Sequence, residues 1–175
     1  MAILDVFSSS DAKRAKRANG ARAEADEADI LDTLKQEHDE VKELLGKLVD
    51  TEKAAERTSL VKQIKAALIP HVRAEEKVVY DAIIAQRDKD AKVDGNEGYI
   101  EHKHADIALK RLDTIRPASS PEFTAAAKVL KELVEHHIKD EESNVWRDVR
   151  KTFDGDQRIE MNRKYEATKQ KVKVA

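Results

Sequence analysis

His71-Val72-Arg73-Ala74-Glu75-Glu76 and His137-Ile138-Lys139-Asp140-Glu141-Glu142 carry the same pattern, a histidine four residues before the first of two adjacent glutamates. Four residues is about one helical turn, so in each copy the histidine and the first glutamate share a helix face. Each copy is preceded by a Glu-His pair, Glu37-His38 in one case and Glu101-His102 in the other. His38 and His71 are 33 positions apart and His102 and His137 are 35, so the halves match in length as well as in pattern. The chain reads as a duplicated unit: a helix with a lone histidine, then a helix with His-x-x-x-Glu. Four histidines and two glutamates directed at one point (His38, His71, Glu75, His102, His137 and Glu141) describe a binuclear metal site.

The surrounding apolar residues place these groups on buried stripes. Leu31, Leu34, His38, Val41, Leu45 and Leu48 predict a helix over 29–49. A second helix is expected to start at Thr58 or Ser59 as its cap and to bury Leu60, Ile64, Leu68, His71, Glu75, Val78 or Val79, and Ala82. Pro70 removes a backbone hydrogen bond there and predicts a kink before His71. An ionised glutamate in an aliphatic stripe costs several kcal/mol unless it is paired, and a cation is the simplest compensation. Residues 87–98, with Asp94-Gly95-Asn96, read as the long loop between the halves. A third helix is expected over 97–115. Ser120-Pro121-Glu122 opens a fourth, which buries Phe123, Ala127, Leu130, Val134, His137, Glu141 and Val145, with Trp146 at the margin. A fifth follows Asp154-Gly155-Asp156, and Ile159, Met161 and Tyr165 are its packing candidates.

Composition sets the class. Charged residues make up 39% and aromatic residues 4%, the balance of an all-α protein with aliphatic stripes inside and Lys and Glu outside. The expected organisation is a charged N-terminal arm over 1–28, an up-down four-helix bundle over 29–151 and a short C-terminal helix over 152–175. Lys13, Arg14, Lys16 and Arg17 in the arm are followed by Glu24, Asp26 and Glu27, which reads as a solvated segment. Its apolar start (Ile3, Leu4, Phe7) is too short for a membrane helix. A net charge of −2 leaves no nucleic-acid footprint. No cysteine is present, which excludes disulfides, thiolate zinc, iron–sulfur ligation and a thiol nucleophile. No apolar run reaches a membrane span and the first residues make a poor signal peptide, so the expected location is cytoplasmic.

The remaining candidates fall to the outside. His104, two residues from His102, faces the far side of its helix. His136 competes with His137, but the stripe from Leu130 through Val134 to Glu141 selects His137. Glu76 and Glu142 are expected at the surface or behind the ligands. Glu37 and Glu101 could accept imidazole N–H bonds behind the ligands, but they sit about 100° away from the neighbouring histidines and are expected in solvent. Imidazole with carboxylate and no sulfur suits Fe, Mn, Zn or Co. Haem between two histidines would leave Glu75 and Glu141 unexplained.

The ordered pattern His, His-x-x-x-Glu, His, His-x-x-x-Glu resembles the hemerythrin-like (HHE cation-binding) family, over about residues 29–150. The resemblance implies a four-helix bundle holding a non-haem di-iron centre. Its cofactor would be two iron ions, with Mn or Zn as lesser alternatives. His38, His71, His102 and His137 would be terminal ligands, and Glu75 and Glu141 bridges. Oxygen carriers of the family have a second histidine one turn along the third helix and an aspartate on the fourth; here those features are Asp106 and Glu141. The implied partner is therefore a small-molecule oxidant (dioxygen, peroxide or nitric oxide), with catalase- or peroxidase-like turnover favoured over reversible oxygen carriage. Tyr99 and Asp106 are candidates to fill an open metal position. The alternatives are an iron or redox sensor, an iron-handling protein of the iron-centre repair type, and a purely structural cation site.

Overall fold

A computed structural model describes residues 27–174. The arm expected over 1–28 lies, except for its last two residues, outside them.

Helix α1 spans Ile30–Asp50, and the Asp29 side chain caps it by accepting from the Leu31 backbone N–H at 3.0 Å. Helix α2 is continuous through three parts: an α-helical Ala54–Glu75, a π-helical Glu76–Tyr80 and a closing turn Asp81–Ile84. Helix α3 covers Lys89–Thr114. Helix α4 repeats the construction of α2, with Pro121–Asp140, a π-helical Glu141–Val145 and then Trp146–Thr152. Helix α5, Gly155–Lys169, begins at an Asp154–Gln157 capping box. Ser120 caps α4 as its sequence suggests, accepting from the Phe123 N–H at 3.1 Å, with Pro121 in the first turn.

Two sequence expectations give way. Helix α2 starts a turn earlier than Thr58 or Ser59, at Ala54 and without a side-chain cap, and the Thr58 hydroxyl donates back to the Ala54 carbonyl. Helix α2 runs through Pro70, and its π-helical stretch falls later, at Glu76–Tyr80. The loop expected over 87–98 is helix, because Asp88 caps α3 by accepting from the Asp90 N–H at 3.0 Å. Gly95 and Gly98 are buried in that helix, where a side chain has no room. A Cβ on Gly95 would lie 2.8 Å from Ile84 Cγ1, and one on Gly98 would lie 2.5 Å from the Tyr80 ring. These glycines mark close packing and not a turn.

The up-down bundle packs α1 against α2 and α4, and α3 against α4 and α2, with α5 laid over α1 and α2. One apolar layer contains Leu45, Leu48, Ile64, Leu112, Phe123 and Leu130. The other contains Ile30, Leu34, Tyr80, Ile83, Trp146 and Tyr165. Each fully buried Leu, Ile or Phe contributes about 1.5–3 kcal/mol. The histidines lie where one layer gives way to the other, as His38 does between Leu34 and Val41.

Candidate metal centre

All six sequence-selected residues come together in that intermediate layer, and each is at most 7% exposed. The His38 Nε2 lies 3.3 Å from Glu141 Oε2, and His71 Nε2 lies 3.4 Å from Glu75 Oε2. His102 Nε2 is 3.5 Å from Glu75 Oε2, and His137 Nε2 is 3.5 Å from Glu141 Oε2. Two donor triads result, His38–His71–Glu75 and Glu75–His102–His137, each with its donor atoms within 4.8 Å of one another. They share Glu75, the arrangement a bridging carboxylate requires. The buried His38 Nε2 and both carboxylate oxygens of Glu75 and of Glu141 have no hydrogen-bond partner. Buried carboxylates are normally paired or bound to metal. This donor set, imidazole and carboxylate without sulfur, fits two cations of the iron, manganese or zinc type.

Each of the four converging histidines is held from behind by a glutamate on its Nδ1. Glu37 holds His71 at 2.8 Å, Glu101 holds His137 at 2.8 Å, Glu142 holds His38 at 3.1 Å and Glu76 holds His102 at 3.3 Å. An acceptor behind Nδ1 fixes the proton there and turns the Nε2 lone pair inward, which is the usual support for a metal-bound imidazole. Glu37 and Glu101 therefore do not face solvent as their helical position suggested, since each reaches the histidine of the next helix. Glu76 and Glu142 cross between the halves.

The electrostatics follow the geometry. Burial disfavours the charged form of His71, but the Glu75 and Glu37 carboxylates outweigh it and push its pKa up to about 10. Burial likewise works against ionised Glu37, yet His71, Lys169 and Tyr165 hold it down to about 2. His102 is also raised, burial being overcome by Glu75 and Glu76. The two central carboxylates part company. Glu141 is raised by burial and by the charge on Glu75, whereas Glu75, although buried, is lowered by His71 and His102.

Three aromatic residues complete the site, and none was among the expected ligands. Trp146 stacks on His38 with ring centroids 5.7 Å apart, and Tyr80, its counterpart in the other half, lies 5.2 Å from His102. The Tyr80 hydroxyl is 3.4 Å from His102 Nε2, facing the metal layer. From α5, Tyr165 donates to Glu37 and lies 2.9 Å from His71 Nδ1, and Lys169 pairs with the same glutamate. Tyr99 and Asp106 point elsewhere. The Tyr99 hydroxyl donates to Asp81 at 2.8 Å and to the Glu76 carbonyl at 2.9 Å, and Asp106 pairs with Arg73. His104 is exposed, and the side chain of His136 is 67% exposed, 3.2 Å from Asp140.

The hemerythrin HHE cation-binding domain matches residues 29–147. A DNA nickase of Nostoc sp. is 26% identical over 139 residues, 79% of this chain but only 38% of the nickase. The chain thus spans well under half the length of that relative. No solved structure matches it. The match runs from the cap of α1 through the turn that carries Trp146 and takes in all six converging residues. The chain belongs to the hemerythrin HHE cation-binding domain family, a family of metal-binding domains.

Proposed function

We propose that the six converging side chains hold two iron ions and that the protein reduces or disproportionates a small oxidant, peroxide in preference to reversible binding of dioxygen. The observation that carries this reading is the set of four partnerless carboxylate oxygens buried among four inward-facing imidazoles. Bound iron would supply the redox and Lewis-acid chemistry. The chain's own residues do the rest. Glu37, Glu76, Glu101 and Glu142 orient the imidazoles, and the aliphatic layers on either side exclude bulk water. Tyr80 keeps its phenolic proton, because burial and the nearby Glu141 and Glu75 carboxylates push its pKa well above the usual tyrosine range. It therefore presents an O–H donor at the metal layer. A fixed hydrogen-bond donor there can orient a small oxidant and stabilise charge that develops on its oxygens.

Nicking of DNA stays with the Nostoc relative. This chain spans 38% of that protein, and its net charge of −2 provides no excess of cations for a polyphosphate.

The test joins metal analysis to turnover. Protein purified without chelator should contain two iron ions per chain and remove peroxide catalytically, and Glu141→Ala should abolish that removal. Reduced protein that forms an oxy spectrum fully reversed by degassing would overturn the peroxide reading. A metal-dependent conformational change without any turnover would favour a sensor.

A further inference from the structure

The two halves of the bundle superpose in pattern, and the comparison exposes one asymmetry. Counted from the histidines, Asp94, Gly98, Asp140 and Asn144 of the second half correspond to Ile30, Leu34, Ala74 and Val78 of the first. In the first half these four positions are apolar and buried, and α5 closes over them with Met161 and Tyr165. In the second half no helix among the described residues lies over the corresponding face, because α5 packs on α1 and α2. A cavity of about 20 Å³ opens there, lined by Asp94, Glu97, Glu101 and Asp140 on its outer side and by Tyr80, His137 and Glu141 on its inner side. Glu97 is exposed, whereas Glu141 is 2% exposed and both its oxygens lack a partner. The cavity therefore joins solvent to an unsatisfied buried carboxylate.

We propose that this cavity is the port through which metal cations reach the buried centre, with Asp94, Glu97, Glu101 and Asp140 drawing them in. The inference rests on the metal-site reading above but concerns the route and not the site. Its volume suits one water-sized species, as a water needs roughly 10–15 Å³ of such space. A hexahydrated cation must shed water to pass, and carboxylate oxygens are the ligands that replace water on a hard divalent ion. The rim is arranged for that exchange. His136 Nε2 lies 3.2 Å from Asp140 and 3.9 Å from Glu101, so one imidazole and two carboxylates stand together at the mouth. Glu101 also receives His137 Nδ1 at 2.8 Å, so the mouth touches the backing of an inner ligand directly.

Metal-free protein mixed with cobalt(II) at low ionic strength reads the uptake rate from the growth of the ligand-field band, and metal analysis reads the final content. Asp94→Asn/Glu97→Gln/Asp140→Asn should slow uptake about tenfold, in the range expected for loss of electrostatic focusing, and added salt should erase most of the difference. Asn144→Phe, which plugs the mouth without changing charge, should slow it at any ionic strength. Glu160→Gln, an exposed carboxylate on the helix that closes the other half, should load at the wild-type rate. Both port variants should still end at two ions per chain. Wild-type uptake rates in either port variant would overturn the port. Failure of the wild-type protein itself to bind two ions would instead overturn the metal-site reading.

Discussion

Positions 136 and 137 hold the same side chain in opposite circumstances. The His136 side chain is 67% exposed, while His137 faces the core with Glu101 behind it and Glu141 before it. His137→Ala and His71→Ala should each lose at least one of two bound ions, whereas His136→Ala and His104→Ala should keep both. Metal analysis per chain checks this, and an intact site in His137→Ala would show that the ligand register of α4 is misassigned. The His71–Glu37 pair makes a second prediction, for metal-free protein. His71 is raised from 6.5 to about 10, so its contribution is complete below pH 6.5 and lost as pH rises through 10. Glu37 is lowered from 4.5 to about 2, so its contribution is complete above pH 4.5 and lost as pH falls through 2. Chelator-treated protein should therefore melt highest between about pH 4.5 and 6.5, and Glu37→Gln should flatten the acid limb of that profile. A melting temperature that keeps rising from pH 6 to 9 would contradict it.

At the scale of the helices, the π-helical stretches decide what could be read in advance. The 3.6-residue period placed Glu75 and Glu141 on the correct faces because α2 and α4 are regular up to those residues. Beyond them the period fails. Tyr80 and Trp146 each follow a central glutamate by five residues, which a regular helix would turn about 140° away. In a π-helical turn, where i bonds to i+5, the fifth residue returns toward the same face, and both rings reach the site. Tyr99, well placed on a regular α3, is drawn off by Asp81. Tyr165 was legible only as a packing residue, since its partners Glu37 and His71 lie 128 and 94 residues away in sequence. Gly98 was hidden for a related reason, because its meaning depends on the Tyr80 ring that only the π-stretch brings there. Gly98→Ala should destabilise the protein by about 1–3 kcal/mol, the usual cost of overpacking, and disturb the Tyr80 position. Denaturant unfolding measures it, and Gly46→Ala, with nothing within 4 Å of its Cβ, is the control. Equal stability of the two variants would show that Tyr80 moves aside freely.

For the whole molecule, the centre is a polar layer that the apolar layers must enclose, and cations supply what the layer lacks. Removing them leaves two facing glutamates in the core, so metal should contribute heavily to stability. A metal present at about 1,000 times its Kd stabilises the folded state by about 4 kcal/mol, which for a chain of this size is roughly 10 °C in Tm. Calorimetry with and without chelator checks this, and equal melting temperatures would mean that the glutamates are solvated after all. The bundle itself was legible from the stripes, the cap at Ser120 and the repeat. The missing start of α2 had no side-chain cap to announce it.

Glu76 and Glu142 each leave their own half to hold the lone histidine of the other, at 3.3 Å and 3.1 Å. Such an exchange is the bonding pattern of an intertwined dimer, here written within one polypeptide. Neither half can finish its own imidazoles, yet each carries what the other needs. The chain should therefore tolerate being cut in the turn at 86–88 while refusing to be divided. Residues 1–87 and 88–175, produced separately, should each remain largely unfolded. Mixed with metal, they should assemble into a single helical species that melts cooperatively, with circular dichroism following the recovery. A half that folded alone would show that the crossed glutamates are an ornament of the fold and not its tie.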